Sequence, residues 1–370
     1  MADSSGKYET ATSRWAGIGP YYAMFPAEFA DHVVTKYTDV GASVLDPFSG
    51  RGTSVFSAAT NGRTGMGVEL NPVGWVYSQA KLHPATQVDV TDRLREIGML
   101  ADRRRSVPDL PVFFSWCFSP RVQNFLFTAR KHLEWRHSPA DWTLMALLLV
   151  NMHGKRDAAL SNQMRQTKSM SPTYAVNWWK AHDSHPPDID PVNFMEKRVN
   201  WRYARGEPSA SNSFVYLGDS TVRLRDVGRR AAEMSLPSTT LLLTSPPYCG
   251  VTNYHYDQWL RLWLLGGPPN ALAVSGRHKG KFTNQEEYGK LLFDVFNRSL
   301  PLLDKDAVVY VRTDHRELTL KMTTEVLKEV FPKKRMFRYA RVIHKPTQTH
   351  LFKNKIDKSA EVDIVLLPAA

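Results

Sequence analysis

Cysteine is nearly missing: the 370 residues include only Cys117 and Cys249. Two thiols cannot build a disulfide framework, so the expected setting is a reducing cytoplasm. Long hydrophobic runs are missing too. The longest, residues 144–150, falls far short of the roughly 20 apolar residues that span a bilayer. The opening MADSSGKYET shows no basic region followed by an apolar one, so no secretory leader is expected. Internal repeats and low-complexity blocks are absent. Acidic residues are in deficit, 36 Asp and Glu against 48 Lys and Arg, which leaves a net charge of +12. That balance suits a polyanionic partner. The imbalance is sharpest in 331–360, where nine basic side chains meet only Asp357. A nucleic-acid surface is expected there, carried by Lys333, Lys334, Arg335, Lys353 and Lys355.

What remains is an ordinary globular composition, 42% hydrophobic, long enough for one large domain or two modest ones. Residues 1–14 read as a loosely held tail. Pro26 can begin a helix to about Tyr37, with Phe29, Val33 and Val34 on one face. Ala42 to Leu45 reads as a short buried strand that runs into DPFSGRGT at 46–53. Gly50 and Gly52 allow a tight turn, and the helix from Thr53 presents its N-terminal amides to an anionic group. A second strand, Gly65 to Leu70, places Glu69 at its end. An acid about 20 residues past a glycine turn suits a ribose diol. This order of strand, glycine loop, helix, strand and acid opens a nucleotide-type fold.

The alternation of strands and helices stops at about Leu82 and resumes after Ser211. Between them Val122 to Trp135 and Asp141 to Met152 read as helices. Basic and aromatic residues interleave from 162 to 205, which suits backbone contacts plus base stacking. Arg165, Lys168, Trp178, Lys180 and Arg202 are the candidates. The competing reading is that most of these tryptophans form the segment's own core. The run HDSHPPD, with His182 and His185, has no cysteine near it and reads as a Pro-rich loop; no metal is expected.

After 211 come a strand at Phe214 to Leu217, closed by Gly218-Asp219-Ser220, and a helix to Met234. A buried strand around 241–243 then leads to Thr244-Ser245-Pro246-Pro247-Tyr248. Two prolines stiffen that loop and remove two backbone donors, leaving carbonyls to accept hydrogen bonds. Farther on, helices are expected at 254–265, 286–303 and 318–330, and a strand at 307–312. Segments 336–344 and 361–367 are expected to pair antiparallel at the sheet edge.

DPFSGRGT and SPPY together resemble the S-adenosylmethionine-dependent DNA amino-methyltransferases that act on N(4) of cytosine or N(6) of adenine. The resemblance covers about 14–90 and 212–367. It implies an α/β fold, a Rossmann-like methyltransferase sheet at 15–82 and 212–370, with a mostly helical insert at 83–211 that can hold target recognition. It also implies S-adenosylmethionine held by Phe25, Pro26, Asp46, Pro47, Phe48, Ser49, Gly50, Gly52, Thr53, Glu69, Leu70, Asn71, Asp219 and Ser220. Catalysis is implied for Ser245, Pro246, Pro247 and Tyr248, on a base flipped from duplex DNA. The insert departs from the family pattern by preceding the Asp219 strand, which leaves the recognition region open among the insert, 266–284 and 331–360. Ser at the first loop position points to cytosine; adenine N(6) and RNA amino groups are the alternatives. Double-stranded DNA is the implied partner, a cognate restriction endonuclease a further one, and the nucleoid the implied location. Attack at cytosine C5 would need a nucleophilic Cys after a Pro, and neither Cys117 nor Cys249 fits.

Overall fold

The structure, a computed structural model, describes residues 8–19, 26–104, 109–167, 169–210, 212–249, 254–271, 284–341 and 361–369. Phe25, Lys168, Lys353, Lys355 and most of 266–284 lie outside them. The backbone divides into two compact units, one of 22–75, 209–254 and 277–370, the other of 1–21, 76–208 and 255–276.

The first unit is built on seven strands: β1 Ser43–Asp46, β2 Thr64–Glu69, β3 Phe214–Leu217, β4 Thr239–Thr244, β5 Leu303–Asp314, β6 Arg335–Arg341 and β7 Glu361–Leu367. Their order is β3-β2-β1-β4-β5-β7-β6. Strands β1 to β5 pair in parallel, and β7 runs antiparallel between β5 and β6. Parallel strands are covered on both faces, which is why all of β1 and the last four residues of β4 are buried, with Val44-Leu45 and Leu241–Leu243 as their apolar cores. Successive residues point to opposite faces. Val44, Leu241 and Leu243 meet Phe29, Val33 and Val34 from the helix Ala27–Tyr37 on one face. Leu45 and Leu242 join the other face, under the helices Ser220–Glu233, Gln285–Ser299 and Glu317–Val330. Each such aliphatic side chain, buried, contributes roughly 1.5–3 kcal/mol.

Chain order turns back between β1 and β4. From β1 the chain steps outward to β2 and β3, then returns to place β4 on the other flank of β1. Loops at the carboxyl ends of such a pair diverge and leave a crevice. Beyond β5, Arg312 donates from Nε to Asp363 on β7 at 2.7 Å, and the Tyr310 hydroxyl reaches the same carboxylate at 2.8 Å. Burial alone would lower the Arg312 pKa; the hydrogen bond and charge of Asp363 more than offset it and raise it.

The second unit is helical. Four of its helices start at a Pro behind a Ser or Asp: Pro120–His132, Pro139–Asn151, Pro172–Ala181 and Pro191–Tyr203. Pro suits the first helical position because its missing N–H has no partner there anyway. The side chains of Ser119, Ser138 and Asp190 accept from the first-turn amides. An aromatic core follows. The Phe113 ring lies 4.8 Å from Trp259, and Phe114 lies 4.6 Å from Trp263. Trp179 is wholly buried and donates to the Gln163 carbonyl at 2.8 Å. Trp135 is buried as well, while Trp116, Trp142, Trp178 and Trp201 stay partly exposed.

Three sequence expectations are corrected. Residues 11–14 are no loose tail: Ala11–Ala16 is a helix with a reciprocal cap between Thr10 and Ser13. Trp15 is fully buried and anchors it. The expected single helix at 254–265 is two, Tyr254–Asp257 and Trp259–Leu264. The helix from 285 ends at Ser299 in a 3-10 turn, Leu300–Leu302, because Pro301 lacks the amide to continue it; β5 therefore begins at Leu303. Among the described residues no helix is long and apolar enough to cross a membrane.

Candidate active site

Asp46 closes β1 and organises the edge. Its carboxylate is buried and accepts from the Phe48 amide at 3.0 Å, the Thr244 hydroxyl at 2.6 Å and the Ser54 hydroxyl. Thr244 ends β4 and immediately precedes Ser245. One carboxylate thus ties the glycine loop after β1 to the proline loop after β4. Burial raises the Asp46 pKa from 3.8 to about 6, against the lowering by its three hydrogen bonds.

The sign of this shift has a measurable result. As pH rises from about 4 to 6, the unfolded chain loses the Asp46 proton before the folded chain does, so stability falls. A rise from 3.8 to about 6 corresponds to roughly 3 kcal/mol. In Asp46→Asn the amide oxygen keeps Phe48 and Thr244, and the amide nitrogen donates to Ser54. Denaturant titrations at pH 4, 5, 6 and 7 are expected to show the variant gaining on wild type up to about pH 6 and then running level with it. Parallel curves throughout would refute this.

The loop after Asp46 depends on positive φ at Gly50 (54°) and Gly52 (72°). Glu69, at the end of β2, accepts the Gly50 amide at 2.6 Å and the Asn71 amide at 2.8 Å. The acid is therefore held against the glycine turn. Asn71 accepts the Val73 amide at 2.9 Å and starts the helix Pro72–Leu82. The Asn71 Nδ2 is buried with no hydrogen-bond partner among the described residues. Close packing needs two further glycines. A Cβ on Gly74 would fall 2.4 Å from the Gly50 carbonyl, and one on Gly67 2.1 Å from the Ser49 hydroxyl.

Asp219 caps the helix Ser220–Glu233, accepting the Thr221 amide at 2.9 Å. Gly218 before it donates to the Glu69 carbonyl at 2.8 Å, and the Ser220 hydroxyl reaches the Pro47 carbonyl at 2.5 Å. The ends of β3, β2, β1 and β4 thus bring Asp219, Glu69, the 46–53 loop and Ser245 to one edge, in that order. Ser245 and Pro247 are partly exposed, whereas Pro246, Tyr248 and Cys249 are buried. Burial raises the Cys249 thiol, and that of Cys117 well above its ordinary value, so neither is a ready nucleophile. Among the described residues no group of His, Cys, Asp and Glu could hold a metal ion.

The basic candidates scatter. Lys333, Lys334 and Arg335 lie at the opposite edge, because β6 runs parallel to β5 and starts at its amino-terminal side. Lys334 is committed there, donating to the carbonyls of Lys305 and Ala307 at 3.1 and 2.6 Å. Arg202, in the helical unit, is buried and donates to the Arg14 carbonyl, so it offers no cation to a phosphate. Burial lowers its pKa to about 10. Arg165 and Lys180 are exposed, and Trp178 is half-buried. Thr244 carries no role among the sequence expectations, and Ser54 and Gly74 are absent from them. The NPVG run after Glu69 carried the signal for Gly74, an Asn cap followed by Pro with a glycine in the first turn.

An open α/β sheet with a glycine turn, a strand-end acid and a proline loop at its switch point has the layout of a nucleotide-type site. A family model described as DNA methylase, of the N6/N4 type, matches residues 3–74. That match covers the glycine loop, Glu69 and Gly74, and stops short of Asp219 and Ser245. The type II methyltransferase M.MjaII of Methanocaldococcus jannaschii is 27% identical over 66 residues, 18% of this chain and 12% of that protein's length. Among solved structures, TrmN from Thermus thermophilus is similar at 10% identity and a TM-score of 0.36, over 97% of this chain and 52% of that one. The rRNA methyltransferase aviRa from Streptomyces viridochromogenes is similar at 14% identity and a TM-score of 0.35, over 97% and 96%. Similarity this low does not bear on substrate.

Proposed function

We propose that the protein is an S-adenosylmethionine-dependent methyltransferase that modifies the N(4) amino group of cytosine in duplex DNA. The observation that carries the reading is the Asp46 carboxylate bonded to Thr244 at 2.6 Å. It joins a glycine loop suited to the cofactor and a proline loop suited to an amino group, on adjacent strands. The DNA methylase match over 3–74 supports the cofactor half.

The residues present fit the cofactor. Glu69, pinned beside the glycine turn, receives the ribose hydroxyls. Asp219 meets the adenine amino group, and the unpartnered Asn71 Nδ2 adds a donor nearby. When bound, the sulfonium supplies an activated methyl group. The chain's own part is to prepare the acceptor. A cytosine amino nitrogen is a poor nucleophile because its lone pair is delocalised into the ring. The Ser245 hydroxyl and the Pro246 carbonyl accept hydrogen bonds from its two N–H groups and draw that lone pair out of the ring; one of the two protons then leaves to solvent once the nitrogen carries the methyl group. Tyr248 stacks on the flipped base, exchanging the contacts that now cover it. Alignment of donor and acceptor supplies most of the remaining acceleration. Ser245, where an acid or amide would favour adenine, selects cytosine. The product is a sequence mark of the kind used in restriction–modification or epigenetic marking.

The test is transfer of a labelled methyl group from S-adenosylmethionine to duplex DNA and to RNA offered separately. Label is expected in DNA. Label in RNA alone would overturn the substrate class.

A further inference from the structure

The helical unit holds a cavity of about 510 Å³, whose walls include Met164, Arg165, Ser169, Tyr174, Trp178 and Tyr256. That volume lies in the range of small-ligand sites. Tyr174 and Trp178 stand four residues apart on the helix Pro172–Ala181 and share one of its faces. Tyr174 is 60% exposed, unusual for so large a ring. His182, four residues farther on, lies flat behind Trp178 at 4.1 Å and 16°. The indole is thus backed on one side.

The walls are held by hydrogen bonds to backbone carbonyls. The Ser169 amide donates to the Asp257 carbonyl at 2.9 Å, and the Trp259 indole to the Met170 carbonyl at 3.1 Å. His153 Nδ1 pairs with the Arg165 carbonyl at 2.9 Å, while the Arg165 side chain stays exposed. Among the lining residues, Ser169 has a fully buried hydroxyl with no hydrogen-bond partner among the described residues. A buried polar atom without a partner costs stability unless a ligand supplies one.

Flat rings on one helix face, a thioether, a single exposed guanidinium and one waiting hydroxyl match a flat heterocycle bearing a phosphate. We propose that this cavity takes an unpaired nucleobase of a bound nucleic acid strand, stacked on Trp178 and Tyr174, with Arg165 on its phosphate and Ser169 on its polar edge. The cavity residues belong to the helical unit and Ser245 to the sheet unit; the base assigned to the cavity is not the one assigned to methylation. The proposal rests on the nucleic-acid reading above.

The test is a fluorescence-anisotropy titration of full-length protein with labelled single-stranded oligothymidylate, and with thymidine monophosphate as a competitor. Trp178→Ala and Tyr174→Ala are each expected to weaken oligonucleotide binding about tenfold or more. Trp178→Phe, which keeps a stacking face, is expected to restore most of it. The monophosphate is expected to compete poorly, which assigns the site to a base within a strand. Competition as strong as that of the oligonucleotide would overturn this in favour of a free nucleotide. Because Tyr174 is so exposed, Tyr174→Ala is expected to keep the wild-type melting temperature. Unchanged affinity in both alanine variants, with methyl transfer to DNA intact in wild type, would sink the pocket alone. Wild type that neither binds the oligonucleotide nor methylates DNA would sink the nucleic-acid reading with it.

Discussion

Ser245→Ala is expected to slow methyl transfer at least about a hundredfold while leaving S-adenosylmethionine binding unchanged. In the proposed mechanism the hydroxyl accepts from a hydrogen that gains positive character as the amino nitrogen attacks. Removing one preorganised partner of a developing charge typically costs about 10²–10³ in rate. Thr244, one residue earlier, holds the loop to Asp46 at 2.6 Å and is untouched by the change. The glycine loop therefore keeps its shape, and calorimetry with the cofactor should return the wild-type affinity. Equal loss of binding and rate would mean that the proline loop belongs to the cofactor site instead.

Glu69→Ala is expected to give the complementary pattern. A hydrogen bond to a charged group contributes about 1.5–3 kcal/mol, so cofactor affinity should fall by about tenfold to more than a hundredfold. The loss has two sources. The ribose hydroxyls lose their acceptor, and the Gly50 and Asn71 amides lose theirs, at 2.6 and 2.8 Å. Glu69→Gln keeps one acceptor oxygen and should lose less. Under saturating cofactor, turnover by either variant should recover most of the wild-type value, because Glu69 does not touch the methyl acceptor. A fall in turnover with unchanged affinity would contradict its assignment.

The sheet was largely legible because a buried parallel strand leaves a plain trace. Val44-Leu45 before Asp46 and Leu241–Leu243 before Thr244 are short apolar runs, each followed by turn chemistry. The glycines at 50 and 52 and the acid at 69 then marked which strand ends matter. What the sequence hid was partnership. Nothing local shows that Asp46 spends its carboxylate on Thr244, 198 residues away, rather than on a ligand. Nor does a basic residue show where it points. Arg202 and Trp178 look alike as parts of one basic and aromatic stretch, yet one is spent on the Arg14 carbonyl and the other walls a cavity. The edge that Lys333 to Arg335 occupy was hidden for a topological reason: it is set by the direction of β6. The helix at 11–16 was missed because its cap pairs Thr10 with Ser13, where a Glu or Gln would have been the recognisable partner.

The most direct test of the central claim is mass spectrometry of nucleosides from the DNA of cells making this protein, compared with cells making Ser245→Ala. The expected result is N(4)-methylcytosine with the wild-type protein and its loss in the variant. N(6)-methyladenine alone, or DNA without any added methylated base, would contradict the assignment of Ser245 to a flipped cytosine.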